Sequence, residues 1–173
     1  GFTAKGEADD VHKLVSCGVF ASAQVFYNLL VPSAGEPIAA TYPSDDYKLL
    51  LETAKDHGVG AIGVRVLAGG ALSGSAARHP LGMSNVTPIG SETDYTTDVK
   101  RGLAFMPLVE AGHAGSLIEL AIRYVISNSA LPTTEIGIAT LEELQQATAA
   151  VNKGPLSIHA LAAIKKVQAG FVI

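Results

Sequence analysis

Val59-Gly60-Ala61-Ile62-Gly63-Val64-Arg65-Val66-Leu67 (VGAIGVRVL) is apolar almost from end to end. That is the composition of a strand covered on both faces by helices, as in a parallel sheet, rather than of a strand alternating between core and water. The residues before it spell a helix. Ser44-Asp45-Asp46 offers a cap, Leu49, Leu50, Leu51 and Ala54 supply an apolar stripe, and Gly58 a left-handed stop.

Working outward, the same alternation recurs. Asp9 to Val19 carries Val11, Leu14, Val15 and Val19 at helical spacing, with acidic residues near its start. Ala21 to Leu30 is short and holds Val25, Phe26 and Tyr27, which suits a buried strand. Gly1 to Ala4 reads as the end of an earlier strand. On the other side, Gly69 to Thr93 contains five glycines and two prolines and is expected to form a long loop. Asp94 to Glu110 is expected to be helical despite Pro107, and Ser116 to Ser127 is a helix with Leu117, Leu120, Ala121 and Val125 on one face. Thr134 to Ala139 is a short strand. Leu141 to Val151 and Ser157 to Gln168 are further helices.

Apolar strands joined through helices of crossover length define an α/β protein with a parallel sheet and right-handed connections. The expectation is a parallel (β/α) barrel of which residues 1–173 form one domain-sized piece: four strands are half of an eight-stranded barrel, whose usual length is about 250 residues. An open doubly wound sheet is the alternative, and strand order separates the two. Gly1, Phe2 and Thr3 read as the interior of an element, so truncation upstream is expected.

Composition narrows the function classes. The chain has 173 residues, 48% of them hydrophobic and 16% charged, enough for one packed core. Twelve Lys and Arg against sixteen Asp and Glu give a formal charge of −4, with no basic cluster among aromatics, which argues against nucleic acid. No run approaches the roughly 20 apolar residues of a membrane helix. The single cysteine, Cys17, excludes an internal disulfide, fits a cytoplasmic setting, and is expected to be a small buried residue.

Gly58-Val59-Gly60-Ala61-Ile62-Gly63 matches a GxGxxG string, but a dinucleotide fingerprint must follow a strand and open a helix, whereas this one ends a helix and enters a strand. His12, His57, His79, His113 and His159 show no i, i+4 pairing and no cysteine partner, so no metal site is expected. Hydrolase and phosphate-loop signatures do not occur. More informative are the carboxyl ends of the strands, where barrel enzymes build their sites. These are Phe2-Thr3-Ala4, Gln24 with Tyr27-Asn28, Arg65 through Gly70, and Gly137 through Thr140 leading into Glu143 and Gln146.

At these positions the chain resembles the aldo/keto reductases, over GFTA, QVFYNLL, VGAIGVRVLAGGALSG and LAIRYVISNSALPTTEIGIATLEELQQ. The resemblance implies reduction of carbonyls, or oxidation of alcohols and sugar hemiacetals, with NADP or NAD and no metal. It implies that Thr3 and Gln24 bind the nicotinamide carboxamide, for which hydroxyl and amide groups are chemically suited. Arg65, Leu67, Gly69 and Gly70 would pass the nicotinamide and pyrophosphate, with the glycines permitting close backbone approach. Gly137, Thr140, Glu143 and Gln146 would lie at the adenosine end.

Plainer roles stand beside these: an internally satisfied amide for Gln24, a surface ion pair for Arg65, a solvated helix face for Glu143 and Gln146. Three positions depart from the family pattern. Val64 stands where an aromatic often stacks on nicotinamide, Ala139 where a cation often meets a 2′-phosphate, and Ala147 where an asparagine holds adenine. The family's Asp, Tyr, Lys and His tetrad would lie upstream of Gly1, so no catalytic residue is expected in this chain. The isolated chain is expected to be inactive, and its partners to be a small carbonyl or sugar substrate and either the missing N-terminal half or another copy of itself. A non-enzymatic, self-associating half-barrel is the rival reading.

Overall fold

The computed structural model describes residues 1–77, 79–82, 86–91 and 94–171. Four parallel strands, β1 (Phe2–Ala4), β2 (Ser22–Phe26), β3 (Gly60–Val64) and β4 (Thr133–Thr134), pair in the order β1-β2-β3-β4. A doubly wound sheet reverses its strand order at a switch point; this sheet advances in one direction only, as a barrel wall does. The alternative open sheet is therefore not the one formed.

Helices α1 (Ala8–Ser16), α2 (Leu50–Asp56), α3 (Tyr95–Leu103), α4 (Met106–Glu110), α5 (Leu117–Ile126), α6 (Leu141–Asn152) and α7 (Ile158–Gln168) complete the described elements, with a 3-10 turn at Ala68–Ser73. The sheet has a dry side and a half-open side. Ala4, Ala23, Val25 and Ala61 are buried in the core with Val11, Val15, Leu50, Leu51, Leu120 and Val125 of the helices. Their strand neighbours Thr3, Gln24, Ile62 and Val64 point to the opposite face and are exposed or half-buried. Period-two alternation thus survives in strands whose sequence looked continuously apolar.

Several expected boundaries shift, each for a local reason. β2 stops at Phe26 because Asn28 folds the chain: its Oδ1 accepts the N–H groups of Leu30 and Val31 at 2.8 and 3.0 Å. The expected cap at Ser44-Asp45-Asp46 does not form. Asp46 instead accepts the Lys48 N–H at 2.9 Å, and α2 begins only at Leu50, behind Leu49 in a left-handed conformation (φ 60°) with no side-chain cap. Gly58 does stop α2, at φ 66°. The expected helix Asp94–Glu110 is two helices, the first capped by Asp94 and the second carrying Pro107 in its first turn, where a missing N–H costs nothing.

The strand expected at Thr134–Ala139 is shorter and lies earlier. After Thr134 one further bond, from the Glu135 N–H to the Gly63 carbonyl at 2.8 Å, keeps the chain on the sheet before it leaves toward Gly137. The expected loop Gly69–Thr93 opens with the 3-10 turn; residues 78, 83–85, 92 and 93 of it lie outside the described residues. Cys17 is exposed, contrary to expectation. α1 ends at Ser16 and Gly18 turns at φ 74°, which leaves Cys17 on the solvent side with its thiol donating to the Leu14 carbonyl.

The candidate site at the carboxyl ends of the strands

The loop that leaves β3 is tightly curled. Arg65 (φ 59°), Ala68 (φ 48°), Gly69 (φ 66°) and Gly70 (φ 103°) all lie in the left-handed region, which costs a non-glycine residue about 1 kcal/mol or more. Asn28 holds the strained end in place. It is fully buried, and while its Oδ1 closes its own turn, its Nδ2 donates to the Arg65 carbonyl at 3.0 Å. The sequence marked Asn28 only as standing at a strand end; its role as a strut for the next loop is visible only in three dimensions.

Beside this loop lies a cavity of about 460 Å³, within the range of small-molecule sites. Arg65, Leu67, Gly69 and Gly70 line it together with Gly137, Glu143 and Gln146. Ile118 and Ile122 of α5 contribute apolar lining, and Val86 packs close over Gly69, where an added Cβ would meet its Cγ1 at 2.5 Å. Among the described residues, Arg65 is the one Lys or Arg lining the cavity, against the carboxylates Glu135 and Glu143.

Seven of the ten expected binding residues therefore share one cavity, and three do not line it. Thr140 caps α6: its hydroxyl accepts the Glu143 N–H at 3.2 Å, and the Glu143 carboxylate reaches back to the N–H of Ala139 at 2.6 Å. One oxygen of Glu143 is thereby committed to the helix start. Thr3 and Gln24 are register partners on β1 and β2, and the Thr3 hydroxyl donates to Gln24 Oε1 at 2.7 Å. The Gln24 amide nitrogen in turn donates to Glu135 Oε2 at 3.2 Å. Since Glu135 also lines the cavity, a continuous polar chain runs from the end of β1 across β2 into it. Glu135 was not among the residues singled out in the sequence. Ala139 and Ala147 line the cavity too, so two of the departures noted above face it.

His79 and Tyr95 also line the cavity, whereas Tyr27, Tyr124 and His12 do not. Burial pushes the Tyr27 phenol up to about 12, and its ring stacks on Tyr124 at 5.1 Å. Tyr124, itself fully buried and raised for the same reason, donates to Glu36, which also pairs with Lys165 at 2.8 Å. Both phenols are thus bound into a structural cluster away from the cavity. The His12 ring bridges the Tyr47 carbonyl and the Thr53 hydroxyl, tying α1 to α2. Among the described residues no His, Cys, Asp or Glu group could hold a metal ion, and no helix is long and apolar enough to cross a membrane.

A parallel sheet advancing strand by strand, buried under helices on one side and with a cleft at the strands' carboxyl ends, is an arc of a (β/α) barrel. The chain belongs to the aldo/keto reductase family, whose model matches residues 6–169. Among solved structures it is similar to the glycerol dehydrogenase AKR11B4 from Gluconobacter oxydans, at 17% identity and a TM-score of 0.62, over 88% of this chain and 43% of that one. It is also similar to the aldo-keto reductase AKR11C1 from Bacillus halodurans. The holo form matches at 16% identity and a TM-score of 0.62, over 96% of this chain and 49% of that one; the apo form gives 15%, 0.59, 95% and 49%. The chain thus spans less than half the length of these structures. A search of curated protein sequences finds no match.

Proposed function

We propose that this chain supplies the cofactor-binding side of an NAD(P)H-dependent oxidoreductase acting on small carbonyls, or on alcohols and sugar hemiacetals in the reverse direction. The observation that carries the reading is the polar chain Thr3–Gln24–Glu135 entering a cavity walled by Arg65, Gly69 and Gly70. The residues present fit a dinucleotide. A hydroxyl and an amide at adjacent strand ends suit a carboxamide, a guanidinium suits a phosphate, and glycine backbone allows close approach. When bound, the nicotinamide supplies or accepts hydride; the residues of this chain orient its ring and hold its phosphates.

The family resemblance puts the proton-donating tetrad outside this chain, so we assign proton transfer to a complementary barrel segment rather than to His79 or Tyr95 of the cavity lining. That segment, the rest of the same protein or a second copy, would cover the half-open face bearing Gln24, Ile62 and Val64. A cytoplasmic setting goes with this reading.

The test is binding of NADH and NADPH to the full-length protein, followed by the fluorescence of the reduced nicotinamide. Gln24→Ala and Arg65→Ala are each expected to weaken binding by about tenfold, the loss of one charge-assisted or amide hydrogen bond. Unchanged binding in both variants would overturn the assignment. Loss of reduced-nicotinamide absorbance with the isolated 173-residue chain and a carbonyl substrate would overturn the division of labour.

A further inference from the structure

Glu135 is held more firmly than an exposed carboxylate at a strand end needs to be. Its own N–H is bonded to the Gly63 carbonyl at 2.8 Å, and the Thr134 hydroxyl donates to the same carbonyl at 2.9 Å from the other side of the sheet. Thr134 is thereby turned toward the helices, where its side chain packs beside Gly63 close to Val125. By strand alternation Glu135 falls on the opposite, half-open face, the face of Gln24 and Thr3.

This placement fixes the polarity of the whole polar chain. A carboxylate has acceptors only, so Gln24 must offer it the amide nitrogen. The Gln24 oxygen then faces Thr3, whose single hydroxyl proton is committed to it. What remains for a ligand is the second N–H of Gln24 and the unshared pairs of the Thr3 oxygen, a donor beside an acceptor on neighbouring strands. Glu135 decides which is which, and it places a negative charge one hydrogen bond away from them.

We infer that Glu135 is a positioning and selectivity residue that makes the site favour the oxidised cofactor over the reduced one. The inference rests on the reading that the nicotinamide lies at Thr3 and Gln24. An oxidised nicotinamide ring is cationic and a reduced one is neutral, so a fixed carboxylate nearby stabilises the first and is nearly indifferent to the second. The charge is solvent-accessible, which limits the effect to a modest factor.

The experiment is titration calorimetry of the full-length protein with oxidised and reduced cofactor, in wild type, Glu135→Gln and Glu135→Asp. Glu135→Gln keeps an acceptor for Gln24 and removes the charge. It is expected to weaken the oxidised cofactor by about three- to tenfold, the scale of one partly screened charge, and to change the reduced cofactor less than about twofold. Glu135→Asp keeps the charge and is expected to retain most of the wild-type ratio. Equal weakening of both forms by Glu135→Gln, or no change in either, overturns the inference while leaving the cofactor reading intact. Failure of the unsubstituted protein to bind either form overturns that reading, and the inference with it. Thermal unfolding of the three proteins is expected to coincide, so that a ratio change cannot arise from misfolding.

Discussion

Asp98 Oδ2 accepts the backbone N–H of Gly90 at 2.9 Å, and that of Ile89 at 2.8 Å, from a fully buried position on α3. One helical turn on, Arg101 donates to the Gly90 carbonyl at 3.2 Å and to the Pro43 carbonyl at 3.0 Å. The two charged side chains thus grip the donor and acceptor sides of one loop segment, the segment whose other end places Val86 over Gly69. Among the described residues Asp98 Oδ1 is buried without a hydrogen-bond partner, so the hold on the loop runs through Oδ2.

Asp98→Ala is expected to cost about 2–3 kcal/mol, because two buried N–H groups lose their acceptor. Asp98→Asn keeps an acceptor and should cost less, about 1 kcal/mol. Urea denaturation measures the difference, and hydrogen exchange at Ile89 and Gly90 localises it. Full protection of those amides in Asp98→Ala would contradict the grip described here.

Glu119 gives the fold a dependence on pH. Its burial would raise the carboxyl, but Lys153 at 2.6 Å and Arg123 at 2.9 Å outweigh that and hold it below the ordinary 4.5. A carboxyl lowered by folding adds stability that is fully present above its unfolded value and is lost as pH falls through the folded one. Stability should therefore decline as the solution is acidified below about 4.5. Glu119→Gln should lose about 2 kcal/mol at neutral pH, since it leaves Arg123 without its buried partner. Its stability curve should approach that of the wild type in acid; parallel curves at all pH values would rule the mechanism out.

Gly69 has two reasons to be glycine, its φ of 66° and the proximity of Val86 Cγ1 at 2.5 Å from any added Cβ. Gly69→Ala is expected to weaken cofactor binding by displacing the Val86 segment, and to cost about 1 kcal/mol in stability from the backbone alone. Adding Val86→Ala should recover most of the binding but little of the stability. A double-mutant cycle without coupling in the binding data would show that the contact does not matter.

Thr140→Ala removes the cap of α6 and should cost about 1 kcal/mol, a fall of roughly 2–4 °C in Tm for a domain of this size. Because Thr140 does not line the cavity, the cofactor affinity should change much less than in Arg65→Ala. A loss of affinity as large as that of Arg65→Ala would put Thr140 in direct contact with the ligand instead.

How much of this could be read beforehand differs between fold and site. β3, the Gly58 stop and the Ser116 start of α5 were legible because each depends on residues adjacent in sequence. The start of α2 was not legible because Asp46 could serve either a helix or a turn, and the conformation of Lys48 and Leu49 chose the turn. The exposure of Cys17 depends on where α1 ends, the least determined feature of any helix. In the site, glycines and Arg65 carried a local pattern. Glu135 did not, since its partner Gln24 lies 111 residues away and a single carboxylate at a strand end has no signature of its own.

Arg65 sits in a backbone conformation that glycine would adopt freely, and its side chain is exposed. Screening variants of this protein for heat resistance alone would therefore be expected to select Arg65→Gly, trading away the cavity's cation without any sign of damage in the folded state. Resistance to heat and a cation in the cavity lining pull in opposite directions at that single position, so a more robust version of the molecule must find its gain elsewhere.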